Sequence, residues 1–246
     1  AFLWGSSLDS PGPYRWGLWL GAALGLGALI PLSRLRRSEA SVAKKEAARP
    51  RGPFPKRWLT VLIAHVMFSH GGWTTTQAFA SAYMDTDLHL SSASIGLIMG
   101  VGQFAAIVAP LWIPQLGRRF SNGWIMMICT LGMAVSLAPM ALVPHWAAAG
   151  IGRFGHIVLS AVWLPALQVY QMERVEPAWL SLAYGALSMA MGMAFGLVSL
   201  GGGYVIASWG YRALFLIGAG LSAAGVLVML AIMRRERFMP QEPAAE

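Results

Sequence analysis

The side chains best suited to chemistry in this sequence lie in an apolar run over residues 146–172. Five polar or aromatic residues recur there at helical spacing: Arg153, His156, Ser160, Trp163 and Gln171. On a helix that turns about 100° per residue, these five share an arc of roughly 80°. Ionisable groups inside an apolar helix are costly and usually face a cavity or a partner. The spacing therefore predicts a helix with one polar face, able to bind a small molecule through a guanidinium, an imidazole and a hydroxyl.

Arg153 sets the charge of this face. A guanidinium needs hydrogen-bond acceptors, and the apolar runs of this sequence contain no Asp or Glu to supply them. A carboxylate from a substrate, or from another part of the protein, would suit its bidentate geometry. We therefore hypothesise that Arg153 and His156 recognise negative charge. The alternative is that Arg153, seven residues from Trp146, extends to the membrane surface as an anchor.

A second group of polar residues lies in the run 58–84, around the pair Gly71-Gly72. Trp73 and Gln77 are one turn apart and are the preferred ligand contacts, whereas the nearby Thr hydroxyls could instead bond to adjacent helices. A third stripe, in the run 179–208, includes Tyr184, and Gln103 lies in the run 93–116. The predicted substrate-binding residues are His70, Trp73, Gln77, Gln103, Arg153, His156, Trp163 and Tyr184.

Three histidines raise the alternative of an intramembrane metalloenzyme that uses His65, His70 and His156. His65 and His70 are five residues apart, about 140° around a helix, whereas two ligands on one helix need a spacing of three or four. Cys129 is the only cysteine, so the sequence offers no disulfide and no thiolate metal site. We therefore expect a protein that is not an enzyme and that uses no metal and no cofactor.

The elements that carry these residues must lie in a membrane. The 246 residues are 57% hydrophobic and only 11% charged, a balance that does not suit a water-exposed globular surface. A transmembrane helix needs about 20 apolar residues. Seven runs qualify: 16–33, 58–84, 93–116, 124–143, 146–172, 179–208 and 211–233. The sequence thus predicts an all-α fold, a polytopic membrane helix bundle with about seven transmembrane helices.

The positive charge of the sequence gives these helices a direction. Residues 34–57 carry nine of the 18 Lys and Arg residues, and positively charged loops stay on the cytoplasmic side during insertion. The net charge of +8 lies beside apolar runs and forms no basic helix face, so membrane lipid is the expected partner and nucleic acid is not. We predict a protein of the cell (inner) membrane with a cytoplasmic linker at 34–57 and a cytoplasmic tail at 234–246.

Glycine, proline and the lack of polar residues predict how the helices pack. Pro110 and Pro114 should kink the run 93–116 near its inner end. The spacing Gly96-x-x-x-Gly100 predicts a close helix contact. The runs 124–143 and 211–233 hold almost nothing polar, so we expect them to be outer supports that face lipid.

Several short motifs carry a resemblance to a known family. The loop Leu116-Gly117-Arg118-Arg119-Phe120 resembles the second-half copy of the Gly/Asp/Arg loop motif of major facilitator superfamily transporters, without the Asp. The stretches around the eleventh and twelfth helices of that family are similar to Gly192-x-x-x-Gly196, Gly201-Gly202-Gly203 and Trp209-Gly210-Tyr211-Arg212. The resemblance implies that 1–33 contains the end of the fifth helix and the sixth helix. It also implies that 58–233 is a C-terminal six-helix half whose partner is an N-terminal six-helix half.

The resemblance also implies a function. In this family the seventh, eighth, tenth and eleventh helices line the cavity, and the same four runs carry the polar residues here. We expect a secondary active transporter that moves a small organic solute by alternating access. An aromatic, Met-rich cavity favours efflux of amphipathic solutes, with proton coupling as an added hypothesis. Uptake by the same fold and a membrane scaffold without transport are the alternatives.

Overall fold

The computed structural model describes residues 19–23, 26–27 and 54–238, the last four without their side chains. The chain divides into two units, Ala1–Arg51 and Gly52–Glu246. In the first unit, residues 19–23 and 26–27 are helical. Most of the run 16–33, most of the linker 34–57 and the end of the tail lie outside the described residues.

The second unit is a bundle of helices, and the described residues contain no strand. Its elements are α1 (Lys56–Thr86), α2 (Ser92–Val108), α3 (Ile113–Gly117), α4 (Asn122–Leu142), α5 (Trp146–Arg174) and α6 (Leu180–Phe238). Helix α6 is interrupted at Gly210, whose φ of 77° and ψ of 175° are not helical. We call 180–209 its first segment and 211–238 its second. The all-α prediction is confirmed, and the helices follow the six predicted runs closely.

Four of the described helical stretches are long and apolar enough to cross a membrane, judged by length and composition. One of them, Ser92–Gly117, combines α2, a 3₁₀ turn over Ala109–Trp112 and α3. The change of helix type falls at Pro110 and Pro114 because proline lacks the N–H of a regular helix and clashes with the preceding turn. Helix α1 spans 31 residues and carries more His, Ser and Thr than the others.

Small residues bring α1 and the second segment of α6 together. A side chain at Gly72 would meet Ser222 and would lie 2.7 Å from the backbone oxygen of Gly218. One turn further on, Gly225 approaches Ser69 within the same contact. Lipid tails are as apolar as Leu, so membrane helices associate through such close packing rather than through a hydrophobic force between them.

A second contact of this kind joins α4 and α5. A Cβ atom at Gly152 would lie 2.5 Å from the backbone oxygen of Ser136 and 2.6 Å from Cγ of Met140. By contrast, Gly96 and Gly100 have nothing within 4 Å in the described structure. The predicted contact at that pair is therefore wrong for this unit, and the glycines that pack helices lie elsewhere.

The runs 124–143 and 211–233, expected to be outer supports that face lipid, each have one exposed apolar face and one buried face. In α4, 56% of the most apolar window is buried, against 6% for Ser92–Gly117. The exposed side chains of α4 form one stripe, which includes Ile128, Leu131 and Val135. The second segment of α6 is likewise exposed on one face only and buried at Phe215 on the other. Both helices present one apolar face outward and pack the other into the centre of the bundle.

Candidate functional site

Arg153 lies at the junction of three helices. Its side chain is only 3% exposed. Its Nη2 atom donates a hydrogen bond to Oε1 of Gln77 at 2.8 Å, and its Nε atom donates to Sδ of Met99 at 3.3 Å. The guanidinium of α5 therefore contacts α1 and α2 and does not extend to the membrane surface. The alternative of a surface anchor does not fit this geometry.

The packing of α5 on α4 explains the direction of this side chain. Gly152 lies against the Ser136 carbonyl, and a side chain at Gly155 would lie 2.8 Å from the Ser136 hydroxyl. These two glycines let α4 cover one face of α5 at close range. Arg153, the next residue after Gly152, then faces α1 and α2. The spacing of Gly152, Arg153 and Gly155 along α5 thus determines the direction of the Arg153 side chain.

The charge of Arg153 has no counter-charge among its contacts. Its two described partners are an amide oxygen and a thioether sulfur, and both are neutral. The third nitrogen, Nη1, is buried and has no hydrogen-bond partner among the described residues. Arginine stays protonated in proteins, and a buried charge is costly unless it is paired. The site is therefore chemically equipped to accept an anion.

An aromatic surface adjoins Gln77 along α1. The rings of His70 and Trp73 are stacked, with centroids 4.5 Å apart and an interplanar angle of 27°. The ring of Phe195, from the first segment of α6, lies 6.4 Å from that of Trp73. His70 and Trp73 are half-buried, whereas Gln77 is exposed. One face of α1 thus presents stacked rings followed, one turn later, by the amide that holds Arg153.

Thr74 and Thr76 of α1 bond within their own helix rather than to neighbouring helices. Thr74 donates to the backbone oxygen of His70 at 2.8 Å, and Thr76 donates to that of Trp73 at 3.0 Å. Such bonds to the preceding turn satisfy the hydroxyls within their own helix. The alternative considered for these residues, hydrogen bonds across helices, is wrong for these two.

The structure does not bring two of the predicted site residues to an open surface. His156 is fully buried and lies near the backbone of Met133 on α4; no described residue makes a hydrogen bond of good geometry to either of its ring nitrogens. Trp163 is 4% exposed and belongs to the hydrophobic core, with its ring 6.2 Å from that of His65. A ligand at Arg153 would reach neither side chain without a rearrangement of the helices.

Gln103 and Tyr184 lie at other positions of the bundle. Gln103 is exposed on α2, one turn beyond Met99. The hydroxyl of Tyr184 donates to the backbone oxygen of Gln168 at 3.3 Å. Gln168 is 15 residues from Arg153 on α5, which corresponds to about 22 Å along a helix. The eight predicted residues therefore do not form one cluster, and Arg153 with Gln77 is the pair in direct contact.

Met99 is a contact of the site that sequence reasoning missed. Its sulfur accepts from Arg153, as a thioether can do weakly. The signal was present, because Met99 lies four residues before Gln103 and therefore on the same face of α2. Polarity alone does not select it.

The described residues do not form a metal site. No group of three or more His, Cys, Asp or Glu among them could hold a metal ion. His65, which was considered as a metal ligand, instead has its Nδ1 atom 2.8 Å from the backbone oxygen of Gly225. His70 is stacked on Trp73, and His156 faces α4. The three histidines thus have separate environments.

Two surface cavities lie away from Arg153. The larger, of about 560 Å³, is lined by Trp112, Gln115, Leu116, Arg118 and Arg119. The smaller, of about 250 Å³, is lined by residues that include Trp124, Tyr170 and Glu173. Both adjoin the loops that the charge pattern predicts to be cytoplasmic. Neither contains a predicted substrate-binding residue.

Known proteins similar to this chain include two transport-related proteins. It is 26% identical over 199 residues to the tetracenomycin C resistance and export protein of Streptomyces glaucescens, which is 80% of this chain and 36% of that protein. It is 31% identical over 129 residues to multidrug resistance protein MdtG of Proteus mirabilis (strain HI4320), 51% of this chain and 31% of that protein. The chain thus spans roughly a third of the length of these curated relatives.

A family model covers most of the chain. The model described as Major Facilitator Superfamily matches residues 61–246, a stretch that contains nearly all of the second unit. The apolar helices and the membrane-length spans described above agree with that match. The chain belongs to the Major Facilitator Superfamily, a family of multi-pass membrane transporters.

Proposed function

We propose that this chain is the C-terminal, substrate-contacting part of a secondary active transporter that exports a small organic solute by alternating access. The observation that carries the proposal is the hydrogen bond from the buried Arg153, on the membrane-length helix α5, to Gln77 on α1. Buried charge in a membrane helix is a functional site by default, since a purely structural role would not justify its cost. An N-terminal six-helix half would complete the pathway.

Efflux is the direction that the relatives favour. Both named relatives are described as resistance proteins, and one of them as an export protein. Stacked aromatic rings and Met99 at the site suit amphipathic solutes, because flexible and aromatic surfaces adapt to varied ligands. We further propose that the protein lies in the inner membrane with 34–57 and the C-terminus in the cytoplasm. Proton coupling is part of the same proposal.

The test is transport by the full-length protein in liposomes under an imposed proton gradient. Arg153→Ala should lower the initial rate at least tenfold, because the buried guanidinium and its hydrogen bond to Gln77 are lost. Arg153→Lys should retain more activity because it keeps the charge. The matched control is Arg212→Ala, since Arg212 is exposed on the second segment of α6. It should change the rate less than twofold.

Each outcome separates the alternatives. Export that depends on the proton gradient supports the proposal as stated, whereas uptake with the same dependence on Arg153 supports the fold but reverses the direction. Equal rates for Arg153→Ala and the Arg212→Ala control would reject the role of the site. No transport by the wild-type protein, with any solute tested, would favour a membrane scaffold.

A further inference from the structure

We infer that the transported solutes include aromatic acids, bound with the anionic group at Arg153 and Gln77 and the ring against Trp73 and His70. The inference rests on the proposed function and names the substrate class of the same site. We call these four residues the aromatic-acid site. Three features of the structure carry the argument: the charge, the amide and the ring surface.

The charge of Arg153 is held in place but left uncompensated. The contacts of its Nη2 and Nε atoms are neutral, and Nη1 has no partner in the part of the chain that the structure describes. Hydrogen bonds that involve a charged group are about twice as strong as neutral ones, and the guanidinium fork matches a carboxylate. Nη1 is buried, so an anion would reach it only after a rearrangement of the helices, and it would then gain both the charge interaction and a free donor.

Gln77 also leaves the charge of Arg153 uncompensated. Its Oε1 atom accepts from Arg153, so its amide nitrogen is a donor directed away from that bond. A Glu at this position would have neutralised Arg153, whereas Gln fixes its geometry and preserves its charge. The Gln77 side chain is exposed. Two donor groups, from α5 and α1, can thus serve one anion.

The ring surface limits which anions fit well. Trp73 lies one turn from Gln77 on the same face of α1, a distance of about 6 Å along the helix axis. Trp73 is stacked on His70 and faces Phe195. Offset stacking of a further aromatic ring adds about 0.5–1.5 kcal/mol beyond its buried area. A planar ring joined to a carboxylate by one or two bonds matches this spacing, and a small inorganic anion would use only half of the site.

The test compares three probes with one aromatic group: 2-naphthylacetate, its primary amide and 2-naphthylethylamine. Their binding to the purified full-length transporter is measured by equilibrium dialysis. The wild-type protein should bind the acid at least tenfold more tightly than the amide, and the amine more weakly than both. Gln77→Glu is the decisive variant because it keeps the side-chain volume and supplies an internal counter-charge to Arg153. It should abolish the preference for the acid, so that the acid binds no more tightly than the amide.

A second variant tests the ring surface independently. Trp73→Leu should weaken the acid and the amide by the same factor and so leave the ratio of their affinities intact. A wild-type protein that does not prefer the acid, or a Gln77→Glu protein that still does, would overturn the inference. The first of these results is expected if a carboxylate of the transporter itself pairs with Arg153.

The two proposals fail separately in these experiments. Transport of neutral or cationic solutes without any preference for acids would refute the aromatic-acid site and leave the transporter assignment intact. A clear preference in binding, with no movement of any probe across the membrane, would support the site and reject the proposed transport.

Discussion

A methyl group added at Gly152 should separate α4 from α5, while the same change at Gly150 should not. The two residues lie two positions apart on α5 and face different surroundings. A Cβ atom at Gly150 would lie 3.9 Å from the nearest atom, which belongs to the Ile98 side chain, whereas at Gly152 it would lie 2.5 Å from the Ser136 carbonyl. The substitutions Gly150→Ala and Gly152→Ala thus differ in packing and in little else.

The size of the effect follows from these distances. At Gly152 the new methyl group is roughly 1 Å closer to the Ser136 carbonyl oxygen than a favourable contact allows. This oxygen belongs to the backbone, so it cannot move aside by a side-chain rotation. Overpacking of this kind costs about 1–3 kcal/mol. Both variants gain roughly 0.5–1 kcal/mol as glycine is replaced in a helix interior. The difference between them should therefore be about 1–3 kcal/mol, or roughly 5- to 150-fold in the packing equilibrium.

Cys129 provides the assay, because it lies on α4 and is 5% exposed. Its alkylation during heating of the detergent-solubilised protein, followed by mass spectrometry of its peptide, reports the opening of the bundle. Gly152→Ala should lower the midpoint temperature relative to Gly150→Ala by about 2–4 °C for each kcal/mol. Equal midpoints for the two variants would refute the reasoning that Gly152 is required by the contact with Ser136.

Two further predictions concern the break in α6 and the linker. Gly210 has a φ of 77°, which residues with a Cβ atom rarely adopt, so Gly210→Ala should cost about 1–3 kcal/mol; thermal unfolding should show no such loss for Gly203→Ala, where nothing lies within 4 Å. A cysteine introduced at Ser41, in the predicted cytoplasmic linker, should resist a membrane-impermeant thiol reagent in intact cells and react after permeabilisation. Ready labelling of intact cells would reverse the proposed orientation.

The helices of the second unit could be predicted from the sequence because their signals lie along the chain itself. Apolar length gave the six runs between residues 58 and 233, and each starts and ends within a few positions of the observed helix. Pro110 and Pro114 marked the change of helix type for the same reason, since the effect of proline on its own backbone does not depend on neighbours.

Contacts between helices could not be predicted in the same way. The spacing of Gly96 and Gly100 is indistinguishable from that of a packing motif, yet only a partner helix decides whether a glycine is covered. Gly152 has such a partner and Gly96 does not within the described structure. The angular position of a residue on one helix says nothing about what lies opposite it.

The need to know the neighbouring helices also explains why the candidate site could be predicted only in part. The arc on α5 placed Arg153, His156 and Trp163 on one face, but a helix as long as α5 passes several neighbours along that face. Near Arg153 the neighbours are α1 and α2, near His156 it is α4, and Trp163 lies in the core beside His65. Polarity identified Gln77 correctly as a side chain worth attention, and the contact with Arg153 required the fold.

The central claim is that the face of α1 carrying Gln77 borders a water-filled pathway rather than lipid. The most direct measurement is the rate at which a water-soluble thiosulfonate modifies Gln77→Cys in the full-length membrane protein. The matched control is Val135→Cys, since Val135 is 62% exposed on the outer stripe of α4. Thiols react as thiolates, which form in water and not in lipid. We predict that Cys at position 77 reacts at least tenfold faster than Cys at position 135 and is protected by a bound aromatic acid; equally slow reaction at both positions would contradict the account.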